Sequence, residues 1–356
     1  MKQSLRTQAA LLLLGNKLDP QALERCFLEE KLRPSQALDF VSPANIKAAA
    51  VQLPLQPATT LRQLVEPLRQ LVDQGGRQGA QLIAFPAYMG LWPLSLSPTL
   101  TEEVLALVDE AREGNFPQAR QRLEGLPERA ALLFTWYYNT FALLAPQSHL
   151  YIHAGSTLLY DQGRWVQRGF LFDPRGEVIQ EQDQLFLSPV EKALGFSAGS
   201  GLDLCNSPFG PLVTLVGRDS FYFESAKVAR QLGARILLCP LSPEEAPGEV
   251  AQRCGPWMRC QEQPLYALAP RLIGPWRDGT LSGQAAIWGP YEASRVSPSG
   301  ILAQGKEGQQ QLLLSRLDLE RLNLPLERYH SQGSEAFGQQ LTQAYASLGK
   351  REEQKS

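Results

Sequence analysis

The residue types that most often carry chemistry are sparse in this chain. Its five cysteines are Cys26, Cys205, Cys239, Cys254 and Cys260. They are scattered, odd in number and contain no CxxC pair, which argues against a disulfide framework and against a zinc cluster. Three histidines are present, at positions 149, 153 and 330. We therefore predict reduced thiols, no metal ion, no bound cofactor and no histidine-based catalysis.

Two residues with reactive or binding potential follow buried strands. Cys239 ends the apolar segment ARILLCP, and ligands of parallel sheets gather beyond the carboxyl ends of the strands. A thiol needs a nearby cation or base to ionise, so a buried structural cysteine is the alternative interpretation. Arg218 follows another apolar segment, LVTLVG. Its guanidinium would bind a carboxylate or phosphate, or pair with a neighbouring acid of the chain.

The elements that would position these residues form two strand–helix–strand units. The segment IKAAAVQL has the small and apolar residues of a buried strand, and an apolar-striped helix from Leu61 to Val72 leads to the strand AQLIAF. The segments LVTLVG, ESAKVARQLG and ARILLCP repeat this arrangement. Connections of this length allow parallel pairing of the strands. We predict one α/β domain over residues 46–328.

Both ends of the chain are predicted to be helical extensions. In the segment 1–45, Asp19-Pro20 is a helix-start signal, and this helix is expected to dock on the main domain. Its apolar stripe is expected to comprise Leu23, Phe27 and Leu28. The segment 329–356 combines an amphipathic helix with a charged tail. Its apolar positions at helical spacing include Phe337, Leu341 and Tyr345.

Composition excludes several classes of protein. Of the 356 residues, 34 are basic and 36 acidic, and a net charge of −2 provides no overall field for nucleic acid. The longest apolar run, 9–14, is far shorter than the ~20 residues that span a bilayer. With 44% hydrophobic and 20% charged residues the chain has the composition of a globular protein. We expect a cytoplasmic protein that contacts neither nucleic acid nor membrane.

A series of segments resembles, in order, blocks of the nitrilase superfamily of carbon–nitrogen hydrolases. These segments are AAAVQL, GAQLIAFPAYMG, YIHAGSTLL, LFDPRGEVI, QLFLSPVE, FGPLVTLVGRDSFYFESAKVARQLGARILLCP, RCQEQPLYALA and LSGQAAIWGP. The resemblance covers nearly the whole predicted domain. It implies a four-layer α-β-β-α sandwich, commonly dimerised through its helices, including those that follow Tyr222. We therefore expect this fold and a homodimer.

The resemblance also implies a catalytic triad, which this sequence lacks. In the family a cysteine thiolate attacks an amide or nitrile carbon, a glutamate transfers protons and a lysine stabilises the oxyanion. The glutamate of the FPE segment falls on Ala87, the lysine of the KxHL segment on Gln184, and the cysteine of the CxD segment on Gly217. No glutamate or cysteine lies within two positions of Ala87 or Gly217 respectively. None of the three positions carries its reactive group.

One other pocket position of the family is kept. A second glutamate, several residues after the lysine position, is present as Glu191. Arg218, Tyr88 and Tyr222 are expected to line the former pocket with it, although core or interface packing is the alternative for the aromatic side chains. We expect this pocket to bind a small amide-like or anionic metabolite.

The sequence leaves three functions open. The loss of the triad favours a catalytically inactive family member that is kept for binding, scaffolding or regulation. The second is an active hydrolase of non-peptide C–N bonds, in amides or nitriles, with rearranged catalytic residues and Cys239 as the nucleophile. The third is a purely structural subunit that pairs with itself or with an active relative.

Overall fold

The computed structural model describes residues 5–28, 32–54, 56–241, 253–276, 279–281, 283–294, 299–325 and 334–353, and His330 lies outside these ranges. The helices are α1 (Leu5–Lys17), α2 (Pro20–Leu28), α3 (Leu61–Arg77), α4 (Pro98–Arg112), α5 (Phe116–Leu123), α6 (Pro127–Ser148), α7 (Pro189–Leu194), α8 (Phe223–Gln231), α9 (Met258–Glu262) and α10 (Glu335–Glu353). The strands are β1 (Ile46–Pro54), β2 (Leu82–Ala84), β3 (Tyr151–Asp161), β4 (Arg164–Phe172), β5 (Val178–Asp183), β6 (Cys205–Ser207), β7 (Gly210–Thr214), β8 (Ile236–Leu238), β9 (Tyr266–Ala269), β10 (Arg271–Trp276), β11 (Gly279–Leu281), β12 (Ala286–Trp288), β13 (Ile301–Gln304) and β14 (Gln311–Leu317).

The first sheet is built around β1, whose small and apolar residues suit a strand that is covered on both faces. β1 pairs in parallel with β2 and β10 and antiparallel with β14. Beyond β2 follow β3, which is parallel to it, and then the antiparallel strands β4 and β5. This sheet carries the segments after β2 and β5, in which Ala87 and Gln184 lie.

The second sheet contains, in the described ranges, six strands in the order β13-β12-β9-β8-β7-β6. Its central strands β7, β8 and β9 are parallel, as the second strand–helix–strand unit predicts. The pairings at both edges are antiparallel. Gly217 follows β7 and Cys239 follows β8, so both residues lie beyond the carboxyl ends of neighbouring strands.

The two sheets pack face to face, with helices on their outer surfaces. Leu82 and Leu212 belong to an apolar cluster that contains residues of both sheets. Leu68 of α3 and Phe141 of α6 pack in a cluster with the first sheet, and Ala226 of α8 packs in a cluster with the second. The order of layers is α-β-β-α, which confirms the predicted fold.

The N-terminal helices α1 and α2 pack against this core. Leu14, Leu23 and Phe27 are each 1% exposed and belong to the same apolar cluster as α3 and α6. Asp19 caps the start of α2 by accepting a hydrogen bond from Ala22 N at 3.0 Å. The expectation that Leu28 shares this stripe is wrong, since it is 66% exposed. Leu28 lies about 100° around the helix from its neighbour Phe27, on the solvent side.

The C-terminal helix α10 leaves its apolar stripe exposed. Phe337, Leu341 and Tyr345 are 57%, 46% and 42% exposed, and their spacing of four residues places them on one helix face. The Tyr345 hydroxyl donates to Glu224 of α8 at 3.1 Å, which ties the two helices together. Across the described ranges, no helix combines the length and apolarity that crossing a membrane requires.

Candidate functional site

Ala87 lies in a buried segment directly after β2. Its side chain is fully buried, and the next residue, Tyr88, has φ 61°, a left-handed conformation that a tyrosine seldom adopts. Gly155 of β3 crosses this segment so closely that a Cβ there would lie 1.7 Å from Pro86 O. The backbone of β3 therefore holds the Ala87 segment in place.

Gln184 follows β5 and is 1% exposed. Its Nε2 donates to Phe186 O at 2.9 Å and to Glu191 Oε2 at 3.3 Å. A carbonyl and a carboxylate oxygen both accept hydrogen bonds, so the orientation of the Gln184 amide follows from its neighbours. Its Oε1 is then left buried with no hydrogen-bond partner in the described part of the chain. An unpaired buried acceptor costs about 1–3 kcal/mol.

Gly217 begins a 3₁₀ turn, Gly217–Phe221, directly after β7. Its φ of 54° is left-handed, its N–H donates to Pro240 O at 3.1 Å, and its carbonyl accepts from Ser220 Oγ at 3.0 Å. In several hydrolases a strained turn after a strand presents the nucleophile. This chain has such a turn, but the residue there is Gly217, which has no side chain. The hydroxyl of the nearby Ser220 is hydrogen-bonded within the turn.

Asp219 ties this turn to the segment after β5. Its Oδ1 accepts from Leu185 N at 2.9 Å and from Phe186 N at 2.8 Å, and its Oδ2 accepts from Leu185 N at 3.0 Å. The side chain is fully buried. Burial raises the pKa of Asp219 to about 7, although the backbone hydrogen bonds act in the opposite direction.

A path of hydrogen bonds joins the three substituted positions. Ser156 Oγ accepts from Tyr88 N at 3.3 Å, next to Ala87, and from Gln167 Nε2 at 2.9 Å. Gln167 O accepts from Gln184 N at 2.9 Å. Asp219 carries the path on to the turn after β7. The segments that contain all three positions are thereby connected.

Neither Ser156 nor Gln167 stands out as a site residue in the sequence. Both are buried, at 0% and 2% exposure, in strands that are otherwise rich in apolar residues. A polar side chain in such a strand needs a hydrogen-bond partner. A polar residue among apolar ones is therefore the sequence feature that indicates Ser156 and Gln167.

His153 lies on the same strand as Ser156 but does not provide a base at neutral pH. It is fully buried, and its Nδ1 accepts from Gly155 N at 3.3 Å. Burial lowers the pKa of His153 to about 3, so the ring is neutral and weakly basic. Where the chain is described, no group of three or more His, Cys, Asp or Glu side chains is arranged to hold a metal ion.

Glu191 has a structural role in addition to its contact with Gln184. It stands in the first turn of α7, where its Oε2 accepts from Ser188 N at 2.6 Å and its own N–H donates to Ser188 Oγ at 3.1 Å. This reciprocal pair is a capping box. The cap holds the carboxylate in place beside Gln184.

Arg218 and Tyr222 lie on the two sides of Asp219. The Nε of Arg218 is buried and has no hydrogen-bond partner among the residues described, so it pairs neither with Glu191 nor with Asp219. The Tyr222 ring stacks on Phe186, with ring centroids 3.9 Å apart and planes inclined by 12°. Tyr222 thus supports the segment that carries Gln184.

Cys239 packs in the helix layer. It is fully buried in the apolar cluster that includes Leu237 and residues of α8, whereas Leu238 belongs to the cluster that both sheets share. Side chains alternate along a strand, so the thiol faces the helices, opposite to Leu238.

Comparison with known sequences identifies relatives of this chain. The sequence profile of the carbon–nitrogen hydrolase family matches residues 47–323. A probable hydrolase of Bacillus subtilis, YhcX, is 25% identical over an alignment of 193 residues that covers 52% of this chain. The match spans 37% of the length of that relative.

Solved structures with the same fold include two hydrolases. A carbon–nitrogen hydrolase from Helicobacter pylori G27 superimposes with a TM-score of 0.59 and 17% identity, covering 80% of this chain and 93% of that one. An amidase variant from Nesterenkonia sp. AN1 carries the acetamide moiety of fluoroacetamide at its active-site cysteine. It superimposes with a TM-score of 0.54 and 19% identity, covering 81% and 98%. Another variant of that amidase is in complex with butyramide.

Proposed function

This chain belongs to the carbon–nitrogen hydrolase family, and we propose that it is a member that has lost catalysis and kept a small-molecule pocket. The observation that carries the proposal is that hydrogen bonds connect the segments of Ala87, Gln184 and Gly217, the residues found where the family resemblance implies the triad. None of these side chains provides a nucleophile, a proton acceptor of useful basicity or a cation. The site would serve in binding, scaffolding or regulation.

The packing of Cys239 supports the loss of catalysis. The backbone next to Cys239 contacts the Gly217 turn, since Gly217 N–H donates to Pro240 O at 3.1 Å, but the thiol itself packs in the apolar cluster under α8. In the described part of the chain, none of the side chains at the three substituted positions offers an attacking atom, which favours the inactive alternative.

We expect wild-type protein to release no ammonia above background from small primary amides and nitriles, butyramide included. The reason is the absence of an attacking atom at position 217. Ammonia detection over hours at neutral pH checks this result. Release that the variant Glu191→Gln abolishes would contradict the proposal, because it would place catalysis in this site.

The ligand class of the pocket follows from the relatives and from the polar atoms at the site. An amidase of the same fold binds butyramide, which makes small primary amides the first class to test. Gln184 and Glu191 offer hydrogen-bonding groups, and Arg218 carries a positive charge next to the buried Asp219. We propose a small amide-like or anionic metabolite as the ligand.

The protein is further proposed to form a homodimer through the α8/α10 face. This face comprises Phe223, Val228, Leu232, Phe337, Leu341 and Tyr345, each at least 40% exposed. The hydrogen bond between Tyr345 and Glu224 joins the two helices at this face. Exposed apolar side chains on two neighbouring helices are typical of protein interfaces, and the family resemblance indicates a second copy of the chain as the partner.

Light scattering on size-exclusion chromatography is expected to give twice the chain mass of 39.4 kDa for the wild type. The double variant Val228→Asp, Leu341→Asp should elute as a monomer, because it buries two charges in the proposed interface. Leu12→Asp is the matched control, since Leu12 is 71% exposed on α1 and should leave the mass unchanged. A monomeric wild type at micromolar concentration would contradict the proposal.

A further inference from the structure

A cleft of about 480 Å³ lies between the last part of the N-terminal extension and the carboxyl end of α3. It is located at the amino ends of β1 and β2, where Lys47 and Gln81 line it. Ala87, in contrast, follows the carboxyl end of β2. The cleft is therefore distinct from the site of the three substituted residues.

The walls of this cleft are positively charged. The cations are Arg33 of the extension, Lys47 of β1 and Arg77 of α3, and none of the other described lining residues is acidic. A neighbouring cleft of about 620 Å³ shares Arg33 and Arg77 and adds Arg69 and Asp73. Concave surfaces lined by one sign of charge concentrate ions of the opposite sign. The charge of the cleft thus indicates an anionic ligand.

These cations keep hydrogen-bond donors for a ligand. Lys47 Nζ donates to the backbone oxygen of Gln78 at 3.2 Å, and across the described ranges no carboxylate pairs with Lys47 or Arg33. Arg77 Nη2 lies 2.6 Å from Asp73 Oδ2, but the arginine side chain is 63% exposed. A guanidinium has five N–H donors and an ammonium has three, so each of these groups has donors beyond those already in use.

Arg316 places a further cation beside Lys47. The two residues are directly opposite each other in the antiparallel pair β1/β14. Ala49 and Leu314, two residues away on the same strands, pack in the cluster that contains α3, so Lys47 and Arg316 lie on the α3 side of the sheet. Like charges directly opposite each other destabilise a sheet. A bound anion on this side would offset that repulsion.

The carboxyl end of α3 does not need these arginines as caps. The last carbonyl groups of a helix lack partners within the helix and attract positive groups. Here the carbonyl oxygens of residues 74–76 accept hydrogen bonds from the backbone N–H groups of residues 78–80, at 2.9–3.0 Å. Gln78 O accepts from Lys47. Arg33 and Arg77 are thus left for another partner.

Hydrogen bonds fix the walls of the cleft relative to one another. Gln81 Oε1 accepts from Lys47 N at 2.9 Å, and its Nε2 donates to Ala37 O at 2.9 Å. Ser35 N donates to Ser148 O at 2.8 Å. These bonds attach the extension to β1 and to α6. A site that is in place before binding loses less conformational freedom when its ligand binds.

We propose that this cleft binds a small oligophosphate, such as the diphosphate or triphosphate group of a metabolite. Its cations come from three different walls, and the tetrahedral oxygens of linked phosphates point in several directions, whereas the two oxygens of a carboxylate share one plane. Arginine binds phosphate through two parallel N–H groups and lysine binds it as a point charge. The proposal does not depend on the loss of catalysis, because the site is a different one.

Titration calorimetry with inorganic pyrophosphate tests the proposal on the full chain. Orthophosphate and citrate are the comparison probes, at an ionic strength of about 0.15 M, which screens charges beyond about 8 Å. We expect pyrophosphate to bind at least about tenfold more tightly than orthophosphate, as one additional charge-assisted hydrogen bond predicts. Citrate, whose charges lie on separate carboxylates, should also bind more weakly than pyrophosphate.

Two double variants distinguish the cleft from the overall charge. Arg33→Gln, Arg77→Gln should weaken pyrophosphate binding at least about tenfold, since both lose a charged donor. The control Arg62→Gln, Arg164→Gln removes the same charge from exposed positions outside the cleft and should leave the affinity within about twofold. Arg62 lies about 22 Å along α3 from Arg77. Thermal unfolding verifies that each variant is folded.

Three results would overturn the proposal. The first is the absence of pyrophosphate binding at millimolar concentration. The second is binding of orthophosphate or citrate as tight as that of pyrophosphate, which would exclude recognition of linked phosphates. The third is an equal loss of affinity in the two double variants, which would reduce the effect to net charge.

Discussion

Gly155→Ala is expected to destabilise the protein by more than about 4 kcal/mol, an exceptional value for one methyl group. The added Cβ would lie 1.7 Å from Pro86 O and 2.9 Å from Phe85 O. Both are backbone atoms of the segment that leads to Ala87, so relief of the clash requires β3 to separate from that segment. The φ of +74° at this position adds a further cost for any residue with a Cβ.

The variant Gly163→Ala separates the cost of the steric clash from the cost of the positive φ. Gly163 has a similar φ of +82°, but no atom lies within 4 Å of the position of its Cβ. The control variant should therefore lose only about 1 kcal/mol, the usual cost of a left-handed alanine. Urea unfolding followed by tryptophan fluorescence measures both values. Similar losses for the two variants would refute the close approach of β3 to the Ala87 segment.

Asp219→Ala is expected to cost several kcal/mol. The substitution leaves the N–H groups of Leu185 and Phe186 without their acceptor, and each unpaired buried donor costs about 1–3 kcal/mol. The segment that carries Gln184 would then lose its connection to the turn at Gly217. Urea unfolding measures the loss, and a cost below about 1 kcal/mol would contradict the role of the carboxylate in holding the two segments.

The variant Asp219→Asn shows how the contribution of Asp219 to stability depends on pH. Burial raises the pKa of Asp219 from 3.8 to about 7 in the folded protein, so between these values the folded state keeps a proton that the unfolded state has released. The contribution of Asp219 to stability therefore falls as the pH rises from about 4 to about 7, by up to about 1.4 kcal/mol per pH unit, and is constant above that range.

The difference in unfolding free energy between wild type and Asp219→Asn isolates this effect. Titrating groups that do not interact with Asp219 are common to both proteins and cancel in the difference. We expect the wild type to lose stability relative to the variant between pH 5 and pH 7, with no further change between pH 7.5 and pH 8.5. A difference that is independent of pH would contradict a raised pKa.

The fold was predictable from the sequence because its evidence is local and ordered. The two strand–helix–strand units are visible as apolar segments with helical and extended periodicity, and the family blocks occur in the expected order. The substituted positions were equally accessible, since Ala87 follows a Phe-Pro pair and Gly217 precedes Asp219 by two residues.

The hydrogen-bond network of the site was not predictable in the same way. Tyr88 and Ser156 are 68 residues apart, and Leu185 and Asp219 are 34 apart, so their contacts depend on the packing of whole strands. The direction of the Cys239 thiol depends on which face of β8 the helices cover. The unpaired oxygen of Gln184 is defined only once Phe186 and Glu191 are placed around it.

The most direct test of the account restores the three groups together. Ammonia release from butyramide is compared between the wild type and the triple variant Ala87→Glu, Gln184→Lys, Gly217→Cys, after thermal unfolding has verified that both are folded. We expect no ammonia release from the wild type and a rate at least about 10²-fold higher from the triple variant, because a positioned acid–base group alone contributes that much to a reaction rate. A wild type that releases ammonia at a comparable rate, or a folded triple variant that stays silent, would contradict the claim that the site has kept its geometry and lost only its reactive groups.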